Sequence, residues 1–398
     1  MELTRRLQPL LLVLLFSVAY SDNGARTPLL SVLQMQADDH IRFSSLVAGR
    51  SFVPIGSGRP SPNHVVKAKI GTPAQTLLMA LDTSTDMTMV PCTGCIGCSS
   101  AATFAFAKST TFKPLNCAAA QCKQVQNSNC LGTVCLMNMT YGASSIAANL
   151  AQDNITLATD SIHGYYFGCI QKAVGALVPP QGVLGLGRGS LSLISQSKSL
   201  YKSTFSYCLP SIKSTSFSGT LRLGPNGQPK NIKYTPLLTN PRRPSLYYVK
   251  LIGIKVGPKL VNIPPSAFAL DKNNGAGTII DSGTVFTRLV TPAYTAVRDE
   301  FRRRMGRHSV VSSLGGFDTC YTIPIGKQVP TMTFMFEGAE LSMKQENFLI
   351  YGSAGGITCL AMSASPSMNV IASMQQQNHR ILFDLKNLKI GISAERCS

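Results

Sequence analysis

Leu81-Asp82-Thr83-Ser84-Thr85 and Ile280-Asp281-Ser282-Gly283-Thr284 read as two copies of one segment. Each places an aspartate after a short apolar run, Ala80-Leu81 or Thr278-Ile279-Ile280, and follows it with small hydroxyl-bearing residues. Such a run suits a buried strand, and the small polar residues after it call for a tight turn. The aspartates stand 199 positions apart, about half of the 398 residues. Duplication at that spacing predicts two similar lobes that bring two carboxylates face to face. Carboxylates so placed share one proton and titrate as a pair. One then serves as general base toward a water while the other donates a proton to a carbonyl substrate. Either tripeptide alone would be an ordinary turn; the pair carries the reading.

The rest of the chain fits a β protein. Apolar residues make up 44% of it, enough for a packed core, and 33 Gly and 23 Pro suit a loop-rich fold. Val65–Ile70, Tyr247–Leu251, Met332–Phe336 and Ile381–Phe383 have strand character between turn clusters, and Pro292–Phe301 has the clearest helical period. Other chemistries fail on inspection. Gly185-Leu186-Gly187-Arg188-Gly189-Ser190 lacks the last glycine of a dinucleotide loop. There is no Walker-type Gly-Lys-Ser/Thr, no Gly-x-Ser-x-Gly, and no His-Glu-x-x-His among five scattered histidines.

Further segments complete the pattern. Tyr141-Gly142, Gly182–Gly189, Val370-Ile371-Ala372-Ser373, Met374-Gln375-Gln376-Gln377-Asn378 and Arg380–Asp384 follow in order. With these in place the chain resembles the pepsin-type aspartic proteases of the plant nucellin-like and nepenthesin-like group, from about Val65 to the C-terminus. The resemblance implies a mainly β, bilobed fold with the cleft between lobes, Asp82 and Asp281 as catalytic pair, and Tyr141 on a flap. It implies an extended peptide substrate and no metal or organic cofactor. Thr85 and Thr284 hydroxyls, with the N–H groups of Ser84 and Gly283, are expected to orient the carboxylates. Three positions depart from the group. Ser84 replaces a glycine, which would cost about 1 kcal/mol or more if the turn needs a positive φ. Met89 replaces a tryptophan that would support the flap tyrosine, and Ala372 replaces a glycine.

Twelve cysteines suit an oxidising compartment. Cys92-x-x-Cys95-x-x-Cys98 has zinc-like spacing, but no histidine is near. With Cys117, Cys122, Cys130 and Cys135 following, disulfide-stapled loops after the first Asp turn are the expectation, and the resemblance implies a Cys-rich insertion there. Cys320 and Cys359 are expected to pair, and Cys208 with Cys397 to link the lobes. Arg5-Arg6 before Leu10–Phe16 reads as a signal peptide, residues 1–21. The polar stretch 22–62 reads as a prosegment or linker, 63–230 as the N-terminal lobe and 231–398 as the C-terminal lobe. Secretion to the apoplast follows, with vacuole or plastid as alternatives. Asn138 and Asn154 open glycosylation sequons. A monomer without a transmembrane anchor is expected. The net charge of +19, with clusters at Arg242-Arg243 and Arg302–Arg304, Arg307 and His308, admits anionic cell-wall or nucleic-acid contacts. Two rivals stay open, a pepsin-fold binding or inhibitor protein with weak catalysis and a DNA-binding nucleoid-type protease.

Overall fold

The strand that delivers the first aspartate, Gln75–Asp82, becomes enclosed toward its end, and its last four residues are all buried. A computed structural model describes residues 64–397, apart from 99–101, 142–143, 176–180, 212–213, 215–217, 307–309, 312, 314, 324–325 and 353–355. The expected signal segment and prosegment therefore lie outside the described residues, as do Arg307 and His308.

On one edge Gln75–Asp82 pairs antiparallel with Val65–Ile70. On the other it runs parallel to Val183–Gly185, with Asp82 opposite Gly185. The strand before the second aspartate, Thr278–Ile280, is treated alike and runs parallel to Asn369–Ile371, with Ile280 opposite Ile371. A third strand crosses antiparallel in each half, placing Met89 opposite Val183 and Arg288 opposite Val370. Met89 and Arg288 each lie seven residues after an aspartate. The two halves thus share one local two-fold plan.

The first half forms a nine-stranded sheet that curls back on itself, because Val65–Ile70 also pairs with Ser144–Leu157. A ten-stranded sheet runs through the second half, yet its strands Thr220–Leu223 and Thr204–Cys208 come from earlier in the chain. Thr204–Cys208 pairs with His379–Asp384, so this sheet ties the two halves. Two four-stranded sheets complete the second lobe. The result is mainly β and bilobed. Its longest described helix, Thr291–Met305, contains the stretch with helical period; Pro292 sits in its first turn, where a missing N–H costs nothing. Buried Ala293, Tyr294, Val297, Phe301 and Met305 form its inner face. The expected single strand Tyr247–Leu251 is instead divided. Tyr248–Val249 belongs to the ten-stranded sheet and Leu251–Val256 to a four-stranded one, so the chain changes sheets at exposed Lys250.

All twelve cysteines are paired. Cys95–Cys98, Cys117–Cys130 and Cys122–Cys135 staple the loops after the first Asp turn. Cys320 and Cys359 are bonded and lie opposite each other on neighbouring strands. Cys208–Cys397 fastens the end of the chain to a strand that precedes the second lobe. Cys92 leaves its Cys-x-x-Cys neighbours and bonds Cys169, a residue to which sequence spacing assigned no role. The two come together because Met89–Ile96 runs parallel to Asp160–Val174. No cysteine is left as a thiolate for zinc.

Surface features follow the same geometry. Asn138 is exposed. Asn154 is half-buried, its amide bonded toward Thr72 Oγ1 at 3.2 Å and Gly164 N–H at 3.3 Å, so Asn138 is the better presented acceptor. On the long helix Arg303 and Arg304 bond Glu300, and Arg302 lies by Asp318. Glu300 and Asp318, which also pair Lys259 and Arg298, offset only part of that basic cluster. Among the described residues, no helix is long and apolar enough to cross a membrane.

Arg380 is fully buried in the strand His379–Asp384. It donates to both carboxylate oxygens of Glu395 (Nε to Oε2 2.6 Å, Nη2 to Oε1 2.5 Å) and to Ser206 Oγ at 3.0 Å. These hydrogen bonds hold the Glu395 carboxyl below its usual range despite partial burial. Stability from this pair is present above the free glutamate value of about 4.3 and drains as pH falls through the lower folded value. Arg380→Met should cost about 1–3 kcal/mol at neutral pH, because Glu395 loses its main partner but is partly solvated and keeps Arg222 at 3.2 Å. Urea titrations across pH 2–7 should show that loss together with a flatter acid-side decline in the variant.

Candidate active site

Asp82 and Asp281 are both fully buried, and each carboxylate is held by donors from its own turn. Ser84 donates to Asp82 Oδ1 twice, through N–H at 2.8 Å and Oγ at 3.0 Å. Thr85 Oγ1 donates to Oδ2 at 2.8 Å. In the second turn Gly283 N–H donates to Asp281 Oδ1 at 3.1 Å. Thr284 donates to Oδ2 through its N–H at 3.1 Å and through its hydroxyl. Buried carboxylates persist only when paired or bonded in this way.

The turns are also bonded to each other. Thr83 N–H donates to Ser282 Oγ at 3.1 Å, and Ser282 N–H donates to Thr83 Oγ1 at 2.9 Å. Ser282 Oγ then donates to Leu81 O at 2.9 Å, and Thr83 Oγ1 to Asp281 Oδ1 at 3.3 Å. The sequence by itself assigns Thr83 and Ser282 no task. The available signal was a hydroxyl immediately after the aspartate in both copies.

Behind each turn the plan repeats. Gly185 N–H donates to Thr88 Oγ1 at 3.2 Å, and Ala372 N–H to Thr287 Oγ1 at 3.0 Å. Ala372 is buried with a negative φ, so a methyl group is accommodated there. Gln376 Nε2 donates to Asp281 O at 3.0 Å and to Ile371 O at 2.8 Å, while its Oε1 accepts the Tyr207 hydroxyl.

The strain that Ser84 would carry if its turn needed a positive φ does not arise. Neither Ser84 nor its counterpart Gly283 has a positive φ, so this turn does not require glycine. The serine hydroxyl adds a donor to Asp82 instead. Met89 is buried among Met87, Met137, Ile170 and other apolar residues and fills a cluster of the first lobe. Gly168 gives it room, since a Cβ there would lie 2.3 Å from the Met89 sulfur. Tyr141 closes the strand Val134–Tyr141, opposite Ser144 at the tip of a hairpin; its side chain lies outside the described residues.

With this geometry in hand, comparison with known proteins is direct. The family described as Xylanase inhibitor N-terminal matches residues 64–225, and that described as Xylanase inhibitor C-terminal matches 246–394. Aspartyl protease AED3 of Arabidopsis thaliana is 49% identical over 92% of this chain and 86% of its own length. Aspartyl protease 25 of Oryza sativa subsp. japonica is 41% identical over 94% and 92%. The chain belongs to the plant pepsin-type aspartic protease family. Aspartic proteinase nepenthesin-1 of Nepenthes gracilis is a relative at 34% identity over 89% of this chain and 83% of its own. The solved structure titled Crystal structure of edgp matches the fold with a TM-score of 0.69 at 21% identity, covering 86% of this chain and 94% of its own. Basic 7S globulin from soybean does so at 0.66 and 20%, covering 85% and 95%. As a member of this aspartic protease family, the chain is a hydrolase.

Ser84→Gly should remove one hydrogen bond from Asp82 without relieving any strain, and should add chain entropy to the unfolded state. A bond of about 1 kcal/mol corresponds to about fivefold, so kcat is expected to fall severalfold, with a lower melting temperature. Steady-state kinetics and a melting curve check this. A higher kcat would reinstate strain at Ser84.

Proposed function

We propose that this protein is a secreted endopeptidase that hydrolyses peptide bonds at acid pH, using Asp82 and Asp281 to activate a water between them. The observation that supports this most is the pair of reciprocal Thr83–Ser282 hydrogen bonds, which clamps the two Asp turns together as one site. In the reaction the ionised carboxylate takes a proton from water as its oxygen attacks the peptide carbonyl carbon. The protonated carboxylate donates to the carbonyl oxygen, giving a tetrahedral diol. Its collapse breaks the C–N bond and delivers a proton to the leaving amine. Ser84, Thr85, Gly283 and Thr284 keep the carboxylates oriented throughout, and no metal or cofactor is required. The hairpin bearing Tyr141 would cover an extended peptide and exclude water. Secretion is supported by the N-terminal apolar segment after Arg5-Arg6 and by the six disulfides.

The test is digestion of denatured haemoglobin between pH 2 and 7 by wild type, Asp82→Asn and Asp281→Asn. Wild-type activity should peak below neutrality, and each variant should lose at least about a hundredfold in kcat while staying folded. A statine-type transition-state mimic should inhibit. Full activity in either variant would overturn the dyad, and a folded but inert wild type would favour a binding protein.

A further inference from the structure

The two Asp turns differ in charge at the fourth residue after the aspartate, which is Asp86 in the first half and Val285 in the second. Val285 is buried in an apolar cluster with Phe286, Phe317 and Met374. A turn of this shape therefore needs no carboxylate at that position, and Asp86 must answer to something particular to the first half. Its Oδ1 accepts Gly189 N–H at 2.7 Å, and its Oδ2 accepts the Ser245 hydroxyl. Two glycines make the room. A Cβ at Gly187 would lie 2.4 Å from Asp86 Oδ1, and one at Gly189 would lie 2.4 Å from its Cγ and Oδ2. The matching stretch after Ala372 in the second half is Ser373-Met374-Gln375-Gln376, which has no glycine.

Ser245 lies on the other side of the lobe junction. It sits in the connection between Lys233–Leu238 and Tyr248–Val249, strands of the ten-stranded sheet. Tyr248–Val249 pairs with Thr278–Ile280, the strand that delivers Asp281. Asp86 thus connects the loop of Asp82 to the strand pair behind Asp281. Neighbouring bonds stiffen the same junction. Arg188 donates from its guanidinium to Leu238 O at 3.0 Å and Thr239 Oγ1 at 3.1 Å, and from its backbone N–H to Ser245 O at 3.2 Å. Tyr247 donates its hydroxyl to Leu186 O at 2.6 Å.

We propose that Asp86 is a positioning residue of the dyad, a second brace between the lobes that holds the Asp82 turn at its working distance from Asp281. This rests on the dyad reading above and adds to it a residue outside the Asp82–Asp281 pair. Hydrogen bonds to an ionised carboxylate are roughly twice as strong as neutral ones, and a misplacement of about 1 Å can cost a hundredfold in rate. Burial, and then the charge of Asp82, push the Asp86 carboxyl above its ordinary range, while Ser245 and Gly189 oppose the rise. The charged or titratable groups facing it are Asp82 on its own turn and Tyr247 from across the junction, and Arg188 on the glycine loop faces Tyr247. Burial thus favours the protonated carboxyl in the folded protein, so the net contribution of Asp86 is fully present below its free value and is lost as pH rises through the raised one, while the bonds from Ser245 and Gly189 offset part of that loss.

The experiment measures kcat, KM and their pH dependence on one quenched peptide, with melting temperatures, for wild type, Asp86→Val, Asp86→Asn, Ser245→Ala and an Asp82→Asn control. Asp86→Val copies the second turn and should lower kcat about tenfold or more with KM within about twofold. Ser245→Ala should lower kcat severalfold in the same manner. Asp86→Asn still accepts from Gly189 and should recover part of kcat. A purely structural role would lower the melting temperature and leave the kcat of the folded variants unchanged. Wild-type kcat and pH profile in folded Asp86→Val would overturn the brace. If that variant does not fold, the same result in both Ser245→Ala and Asp86→Asn would overturn it. Full activity in the Asp82→Asn control would instead overturn the dyad, and the brace with it.

Discussion

Two backbone N–H groups, those of Thr83 and Ser282, find their acceptors only on the opposite half of the molecule. Each is met by the hydroxyl of the other residue, in surroundings where Thr83 and Ser282 are almost wholly buried. An orphaned buried donor costs about 1–3 kcal/mol, so neither half can satisfy its Asp turn without the other. This reciprocal requirement sets the spacing of the two turns. The parallel strand pairs behind them, Gln75–Asp82 with Val183–Gly185 and Thr278–Ile280 with Asn369–Ile371, transmit that spacing into the two lobes.

The same accounting governs the polar interior around the site. Strands that end at a turn leave N–H and C=O groups with no ladder to join, and buried groups of this kind must be paired. Thr88 and Thr287 take up two such N–H groups, and Gln376 takes up two carbonyls. Gln375 bonds Thr287 N–H at 3.0 Å and Asn347 O at 2.9 Å, which ties the second turn to the segment before Leu349–Tyr351. These buried hydrogen bonds fix the positions of both turns relative to the strands around them. The two-fold plan is followed where both turns need the same support. It is broken at Asp86 and Val285, where one turn meets the lobe junction and the other an apolar cluster.

Local chemistry made a good part of this readable in advance. An aspartate after an apolar run, followed by residues with hydroxyls, specifies a strand and a tight turn within a few residues, and both copies fold so. The helical period around Pro292–Phe301 and the strand character of Val65–Ile70 and Met332–Phe336 are likewise short-range signals. Residue type leaves strain at Ser84 undecided, because its backbone conformation depends on the whole turn and residue type reports φ only through a preference. Cys92 was misgrouped because proximity in sequence outweighed a strand pairing that brings it to Cys169, 77 residues away.

The sequence alone therefore determined the two Asp turns, the mainly β, two-lobed character and the oxidised cysteine framework, all of which are written in local pattern and composition. Only the tertiary structure decided that Thr83 meets Ser282, that Cys92 meets Cys169 and that Asp86 meets Ser245. Those contacts join residues 77 to 199 positions apart. Their existence depends on strand register and on the closing of one lobe against the other, and a one-residue slip in register would turn every side chain involved to the opposite face.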